Sequence, residues 1–308
     1  MKWITAKMVN TFTDQPFAGN PAWVAYGDDL PNDEQMLTNL ANELNPVSDT
    51  AFVFPREGDA DIFLRFFSKS EEIGFSGHGT IATYHALANE SIVKISEPTT
   101  LIRQRTKTGT QHVELRVRDG KIHRVTVSLP VPQFISTPLD TKVIARFLGL
   151  PPIEILETTF PIGVVGLAGN TDVIVPVNSV DALQNLNLNI PLLKSYCDRM
   201  QIKGVVVWCF DGESDRKKAH MRHFAPSVGI EEDPVSGAAG AELGCFMVHN
   251  KLIPVQEMNR IIVEQGQSMK RIGTVYVHVH THDTQILKVS FGGQGIVMFE
   301  GRLLLAHE

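Results

Sequence analysis

Arg65-Phe66-Phe67-Ser68-Lys69-Ser70 is echoed, about half a chain later, by Arg222-His223-Phe224-Ala225-Pro226-Ser227. A Ser-Gly pair follows each segment, in Ser76-Gly77-His78-Gly79 and in Ser236-Gly237-Ala238-Ala239. Each pair opens a stretch of small and apolar residues that is typical of a buried helix. Self-similarity of this kind indicates two halves of one fold, each with a strand, a loop and a central helix. Chance is the alternative explanation, since Ser-Gly pairs are common.

Length and composition predict a globular chain with two domains. The chain has 308 residues, of which 43% are hydrophobic and 20% are charged, and single cores usually stop growing before this size. Pro130-Val131-Pro132 interrupts the alternation of strand-like and helical segments, so we place the domain boundary there. We predict one lobe over residues 1–129 and a second over residues 130–288. A final strand within residues 289–308 is expected to return to the first lobe.

Charge and hydropathy exclude several classes of function. The net charge of −6 and the pI near 6.0 come with no basic stripe that could bind nucleic acid. No apolar run approaches the roughly 20 residues of a membrane span, and the N-terminus shows no signal-peptide pattern. The three cysteines, Cys197, Cys209 and Cys245, lack CxxC spacing, which fits a reducing compartment. We therefore expect a cytoplasmic protein that contacts neither nucleic acid nor membrane.

The two Ser-Gly turns are candidate sites for an anionic ligand. The first turn of a helix carries N–H groups without intrahelical partners and the positive end of the helix dipole, and both favour a bound carboxylate. If a pseudo-twofold relates the halves, both helix starts can face one cleft between the domains, where ligands often bind. The expected partner is a small molecule that bears a carboxylate.

Three further side chains are candidates for acid–base chemistry or substrate binding. His78 lies near a helix start, where the dipole disfavours the imidazolium, so it can relay a proton near pH 7. Asp233, just before Ser236, can bind an amine or hydroxyl, and Asp49 can act as a general base. Each also has an ordinary structural interpretation: a capping imidazole, a helix-terminal charge and a turn residue, respectively.

Five motifs, taken together and in order, resemble the PhzF family of phenazine-biosynthesis-like isomerases. They are Phe17-Ala18-Gly19-Asn20-Pro21, Glu43-Leu44-Asn45 with Ser48-Asp49-Thr50-Ala51-Phe52-Val53, Arg65-Phe66-Phe67-Ser68, Gly74-Phe75-Ser76-Gly77-His78-Gly79, and Phe224-Ala225-Pro226 with Glu232-Asp233-Pro234-Val235-Ser236-Gly237. Each motif is weak alone, whereas five in order are highly specific. The resemblance covers essentially the whole chain.

The resemblance implies an α+β (mixed α/β), diaminopimelate epimerase-like fold. Two pseudo-symmetric lobes each wrap a sheet around a central helix, with the site between them, and homodimers are usual. The family resemblance also implies isomerisation by proton transfer without a metal or organic cofactor. The implied catalytic residues are Asp49, His78 and Asp233, and the implied substrate contacts are Asn20, Ser76, Gly77, Gly79, Ser236, Gly237 and Ala238.

One departure from the family pattern leaves the activity open. The family motif is Ser-Glu-Thr, whereas this chain has Ser48-Asp49-Thr50. Aspartate keeps the carboxylate but is one methylene shorter, and a displacement of about 1 Å can cost roughly a hundredfold in rate. The alternatives are a small-molecule binding protein with a degenerate site, or a hydratase or dehydratase. Glu43 is a second nearby carboxylate, for which a structural role on a helix is expected.

Related epimerases and racemases use one thiol from each lobe at the two helix starts. Ser76 and Ser236 occupy those positions here, and a hydroxyl lacks the acidity of a thiolate base. We therefore reject thiol-based racemisation. His278, His280 and His282 alternate on a predicted strand, and we interpret them as its exposed face rather than as a metal site. Gly292-Gly293-Gln294-Gly295 lacks the Lys of a phosphate loop and predicts a turn between strands.

Overall fold

The computed structural model describes residues 1–44, 48–88, 90, 92–156, 159–212 and 218–305. Asn45 of the second motif and residues 306–308 of the predicted returning segment lie outside the described residues. The chain divides into two compact units, Met1–Ser128 with Gly292–Glu308 and Leu129–Phe291. The expected returning segment starts at residue 289, whereas the first unit resumes at Gly292, because a strand of the second unit continues through residues 289–291.

Strands dominate the described part of the chain. They are β1 (Lys2–Thr11), β2 (Asn20–Tyr26), β3 (Thr50–Phe54), β4 (Ile62–Phe67), β5 (Glu72–Ile73), β6 (Thr99–Thr106), β7 (Gly109–Arg118), β8 (Lys121–Leu129), β9 (Gln133–Ile135), β10 (Gly163–Leu167), β11 (Asn170–Pro176), β12 (Gly204–Phe210), β13 (Lys218–Ala225), β14 (Ile230–Asp233), β15 (Met258–Gln265), β16 (Gly273–His282), β17 (Gln285–Gly293) and β18 (Gly295–Leu305). The helices are α1 (Glu34–Leu44), α2 (Gly77–Leu87), α3 (Thr141–Leu148), α4 (Val180–Gln184), α5 (Ile190–Met200) and α6 (Gly237–His249). Among the described residues, none of these helices is long and apolar enough to cross a membrane.

The first unit contains a mixed sheet that packs on the central helix α2. Its strands pair in the order β18–β1–β2–β3–β4–β6–β7–β8. The β2–β3 and β4–β6 pairs are parallel, and the others are antiparallel. Most residues of α2 are buried, and the helix contacts β1, β2, β3 and β18. Leu37 and Ala41 of α1 join Phe52 and Phe67 in a separate apolar cluster.

The second unit repeats this arrangement around the central helix α6. Its strands pair in the order β9–β10–β11–β12–β13–β15–β16, with β11–β12 and β13–β15 parallel and the others antiparallel. The helix α6 is mostly buried against β10, β11, β15 and β16. Phe147 of α3 and Leu193 of α5 pack with Val173 and Val205 in a further apolar cluster. The second unit therefore has the same order of strand pairs as the first.

A buried arginine marks the repeat in each unit. Arg65 donates two hydrogen bonds to Glu72, at 3.0 and 2.8 Å, and its guanidinium lies 5.3 Å from the Phe67 ring centre. Arg222 forms the same fork with Glu232, at 2.9 and 2.8 Å, and lies 5.0 Å from the ring of Phe224. Paired forks at equivalent strand positions confirm the predicted repeat, and bidentate pairs of this kind are strong.

Of the two remaining predictions for local structure, the one for the alternating histidines holds. Val275, Val277 and Val279 are buried, whereas His278 and His280 are half-buried and His282 is exposed. The alternation is therefore the ordinary inside–outside pattern of a strand. The turn predicted over residues 292–295 is wrong, because Gly292 and Gly293 end β17, Gly295 begins β18 and Gln294 alone lies between the two strands.

We expect Glu72→Gln to lower the free energy of unfolding by about 2 kcal/mol, because it leaves the largely buried Arg65 guanidinium without its counter-charge. Urea titration measures this change. Asp198→Asn is the matched control, since Asp198 pairs with Lys194 and both side chains are about half exposed. The control is expected to change stability far less, and equal losses in the two variants would contradict this account of Arg65.

Candidate active site

Asp49 is held by the backbone where the chain enters β3. Its carbonyl accepts a hydrogen bond from the N–H of Trp23 at 3.3 Å, which extends the parallel β2–β3 pairing by one step. The neighbouring Ser48 hydroxyl donates to the carbonyl of Pro21 in β2 at 2.8 Å. Two contacts to β2 therefore fix the backbone that carries the Asp49 carboxylate.

His78 lies in the first turn of α2 and faces the Ser48-Asp49 segment. Its Nε2 is 3.0 Å from Ser48 Oγ and 3.6 Å from Asp49 Oδ2. Its Nδ1 is 3.4 Å from the Oγ of Ser76, which is the N-cap of the helix and accepts the N–H of Gly79 at 3.0 Å. The structure thus brings together Asp49, His78 and Ser76.

The serine contacts select one tautomer of His78. A hydroxyl has a single hydrogen, and Ser48 gives its hydrogen to the Pro21 carbonyl. The contact between Ser48 Oγ and His78 Nε2 therefore requires Nε2–H as the donor. Ser76 Oγ accepts from Gly79, so its own hydrogen is left for Nδ1. Neutral His78 consequently donates its Nε2–H to Ser48, and Asp49 Oδ2 lies 3.6 Å from the same nitrogen.

The remaining predicted contacts of the first unit surround this helix start. A Cβ atom on Gly79 would lie 2.8 Å from Ser76 Oγ and 3.0 Å from Phe66, so only glycine fits between the cap and the sheet. Gly77 is half-buried beside it. Asn20 is 3% exposed at the start of β2, and its carbonyl accepts from Thr11 Oγ1 at 2.8 Å.

The second helix start is built in the same way. Ser236 is the N-cap of α6, and its hydroxyl accepts the N–H of Ala239 at 3.3 Å. Gln265 of β15 accepts the N–H of Ser236 at 2.9 Å and donates to the carbonyl of Asp233. Gln265 therefore clamps the turn that carries Asp233. Gly237 and Ala238 form the first helical residues after the cap.

Asp233 lies at the end of β14, opposite His223 of β13. Its Oδ2 is 3.7 Å from His223 Nδ1, and the other ring nitrogen of His223 is 3.3 Å from Asp172 Oδ2. Burial alone would lower the pKa of His223, but the two carboxylates raise it to about 10. At neutral pH the buried His223 side chain is therefore an imidazolium, and it lies next to the Asp233 carboxylate.

None of the cysteines is suited to act as a base or nucleophile. All three are buried, and burial raises the pKa of Cys197 and of Cys209 to about 12 each. Burial also raises the pKa of Cys245. At neutral pH these thiols stay protonated, so they cannot supply the thiolates of a two-base racemase. Glu43, the other carboxylate considered, is exposed on α1.

The predicted site residues thus form two groups, one in each unit. Asp49, His78, Ser76, Gly77, Gly79 and Asn20 belong to the first unit, and Asp233, Ser236, Gly237 and Ala238 belong to the second. No sequence motif indicated a role for Ser48 or Gln265, and His223 was recognisable only as part of the repeat. Ser48 adjoins Asp49 in a quoted motif, whereas nothing in the sequence links Gln265 to the Asp233 turn.

Comparisons with known proteins cover nearly the whole chain. A family model described as phenazine biosynthesis-like protein, PhzC-PhzF, matches residues 9–301. The uncharacterised isomerase YfhB of Bacillus subtilis is 30% identical over 299 residues, which cover 96% of this chain and 97% of the relative. A trans-2,3-dihydro-3-hydroxyanthranilate isomerase of Pseudomonas aeruginosa is 28% identical over 298 residues, which cover 97% of this chain and 98% of the relative.

Solved structures agree with the fold. A phenazine biosynthesis protein of the PhzF family from Bacillus anthracis is 26% identical, with a TM-score of 0.87 and coverage of 99% of this chain and 100% of that chain. A probable proline racemase from Agrobacterium radiobacter is 15% identical, with a TM-score of 0.68 and coverage of 98% of this chain and 93% of that chain. This comparison shows likeness of fold alone. The predicted α+β, epimerase-like fold is confirmed.

We expect His78 to be the Nε2–H tautomer in the wild-type protein, and we expect this preference to weaken in Ser48→Ala, because the variant lacks the acceptor for Nε2–H while the Ser76 hydroxyl still faces Nδ1. Nitrogen-15 NMR of labelled histidine at a pH where the ring is neutral reports the tautomer directly. Ser68→Ala is the matched control, since that hydroxyl bonds within its own turn at Glu71. A wild-type Nδ1–H tautomer would refute the assignment.

Proposed function

The chain belongs to the PhzC-PhzF family of phenazine biosynthesis-like proteins, and on that basis we propose that this isomerase moves a proton on a small carboxylate-bearing metabolite by acid–base catalysis without a cofactor. A cyclic metabolite is the first candidate, because the Pseudomonas aeruginosa relative is named for a dihydro-hydroxyanthranilate. The observation that carries the proposal is the Asp49–His78 pair, with 3.6 Å between Oδ2 and Nε2. Homodimer formation and a cytoplasmic location remain predictions from the sequence.

In the proposed reaction, Asp49 removes a proton from a carbon that is activated by conjugation. The electrons of the broken C–H bond move along the conjugated system, and the proton returns to a different carbon from Asp49 or through His78. No atoms are gained or lost, so the product is an isomer. Acid–base catalysis of this kind supplies about 10²- to 10⁴-fold, and positioning of the substrate supplies the rest.

The two helix starts are proposed to hold the substrate. The first-turn N–H groups of Gly77, His78, Gly237 and Ala238 precede the first intrahelical bonds and suit a carboxylate. Asp233 accepts a hydrogen bond from an amine or hydroxyl of the same substrate.

The shorter base is compatible with catalysis in this geometry. Asp49 and His78 are each less than 20% exposed and lie within reach of one another, so the aspartate retains the partner that an acid–base site needs. These contacts favour an active site over a degenerate binding site. A pocket that brings the substrate closer to Asp49 would compensate for the missing methylene.

We expect the wild-type protein to catalyse incorporation of solvent deuterium into trans-2,3-dihydro-3-hydroxyanthranilate or a related small carboxylic acid, and Asp49→Asn to lower that rate by at least about 10²-fold. Proton NMR and mass spectrometry in D₂O follow the exchange. Asp49→Glu keeps the carboxylate and is expected to remain active. Glu43→Gln is the control, because Glu43 is an exposed carboxylate on the preceding helix.

Three other outcomes would point elsewhere. Binding of the acids without exchange would support the non-catalytic binding protein, and a product heavier or lighter by one water would support a hydratase or dehydratase. If Asp49→Asn matched the wild type while Glu43→Gln lost activity, Glu43 would be the base.

A further inference from the structure

Four ionisable side chains of the second unit lie in a row that ends at Asp233. His223 stands between Asp233 and Asp172, with 3.7 Å and 3.3 Å between the facing nitrogen and oxygen atoms. Glu242 of α6 adjoins Asp172. Asp172 and Glu242 are fully buried, and His223 is 5% exposed. We call these three buried residues the polar cluster.

The charges in the polar cluster alternate. Burial and the charge of Asp172 raise the pKa of Glu242 well above its usual value, so Glu242 is protonated. Although burial opposes it, the His223 charge lowers the pKa of Asp172, which is therefore ionised. Along the row, Glu242 is thus neutral, Asp172 is negative, His223 is positive and Asp233 is negative. Lys203 adds a positive charge near Asp172, and the Cys197 thiol beside it is neutral.

The first unit shows that the fold does not require this cluster. Phe66 occupies the position in the first unit that is equivalent to His223 in the second. Phe66 pairs with Ile73 of β5, as His223 pairs with Asp233 of β14. Phe66 is 1% exposed and packs in an apolar interior. The same strand position is therefore filled stably by a hydrocarbon ring in the other half of this chain.

The other two members of the cluster also have apolar counterparts. Glu242 follows the cap Ser236 at the same spacing as Ala82 follows Ser76. Asp172 precedes Val173 as Ala22 precedes Trp23 in the matching parallel strand pair. Ala22 and Ala82 are fully buried. Buried charges usually contribute less to folding stability than apolar residues of similar volume. Stability alone therefore does not explain the polar cluster.

We propose that His223 is a positioning residue that holds the Asp233 carboxylate in place as a fixed hydrogen-bond acceptor, and that Asp172, with Glu242 beside it, holds His223. This inference rests on the proposed function insofar as Asp233 contacts the substrate. It narrows the substrate to a carboxylic acid that also carries a hydrogen-bond donor, an amine or hydroxyl, placed to meet Asp233. His223 acts through Asp233 and does not touch the substrate.

The test uses a variant that copies the first unit. Asp172→Ala, His223→Phe and Glu242→Ala together install the residues found at Ala22, Phe66 and Ala82, so none of the three positions of the polar cluster keeps an ionisable group. Thermal unfolding checks that this triple variant folds. His220→Gln is the matched control, because His220 is a buried histidine of the same strand whose Nε2 lies 2.6 Å from Asp211 instead of Asp233.

Two readouts separate positioning from a structural role. Nitrogen-15 NMR of the wild type is expected to show His223 as imidazolium at pH 8, since its pKa is about 10. Calorimetry compares anthranilate, which carries an amine, with benzoate, which does not. The wild type and His220→Gln are expected to prefer anthranilate, and the triple variant is expected to lose about tenfold in affinity for anthranilate but not for benzoate.

Each remaining outcome decides the inference. A neutral His223 at pH 8, a wild type without preference for anthranilate, or a triple variant that keeps the preference would each overturn it. Equal losses for both ligands would show a structural role and would also overturn it. If the preference is lost as expected but the wild type exchanges no deuterium with any acid, the positioning role stands and the proposed isomerisation alone fails.

Discussion

Burial of the central helices is the constraint from which the candidate site follows. Helices α2 and α6 are apolar along most of their length and lie against the sheets of their units. A buried helix start cannot leave its N–H groups without acceptors, since each would cost about 1–3 kcal/mol. Ser76 provides one such acceptor, for the N–H of Gly79, and Ser236 provides one for the N–H of Ala239. The cap of α2 also orients an imidazole. The Ser76 hydroxyl accepts from Gly79 and keeps its hydrogen for His78 Nδ1, so the residue that caps the helix also favours one tautomer of His78 in the proposed acid–base pair.

Local patterns made most of the fold predictable. Residues 50–54 and 62–67 form the strands that their β-branched and aromatic content predicts, and the internal echo of Arg65 and Arg222 indicates the repeat. The Ser-Gly pairs mark the helix starts, since α2 begins at Gly77 and α6 begins at Gly237. Glycine disfavours a helix by its own propensity, and here the serine caps outweigh it.

The contacts that hold the site depend on register between distant strands, which no local pattern contains. Gln265 reaches the Asp233 turn because β15 runs parallel to β13, and Ser48 reaches His78 because β2 and β3 are parallel neighbours. One feature of the sequence pointed to the polar cluster. Glu242 is a lone charge inside the apolar run of α6, and a buried carboxyl at such a position needs a partner. The sequence could show that a partner was needed but not that the partner was Asp172.

The duplicated architecture supplies an internal control for separating fold from function. Features present in both units, such as the Arg65–Glu72 and Arg222–Glu232 forks and the serine caps, are those that the shared backbone arrangement needs. Features present in one unit only cannot be explained by that backbone, since the other unit forms it without them. The Asp49–His78 pair is confined to the first unit and the polar cluster to the second. Buried ionic groups in general contribute little to folding stability. Because the first unit fills the equivalent positions with apolar residues, the polar cluster of the second unit favours a functional role over a structural one.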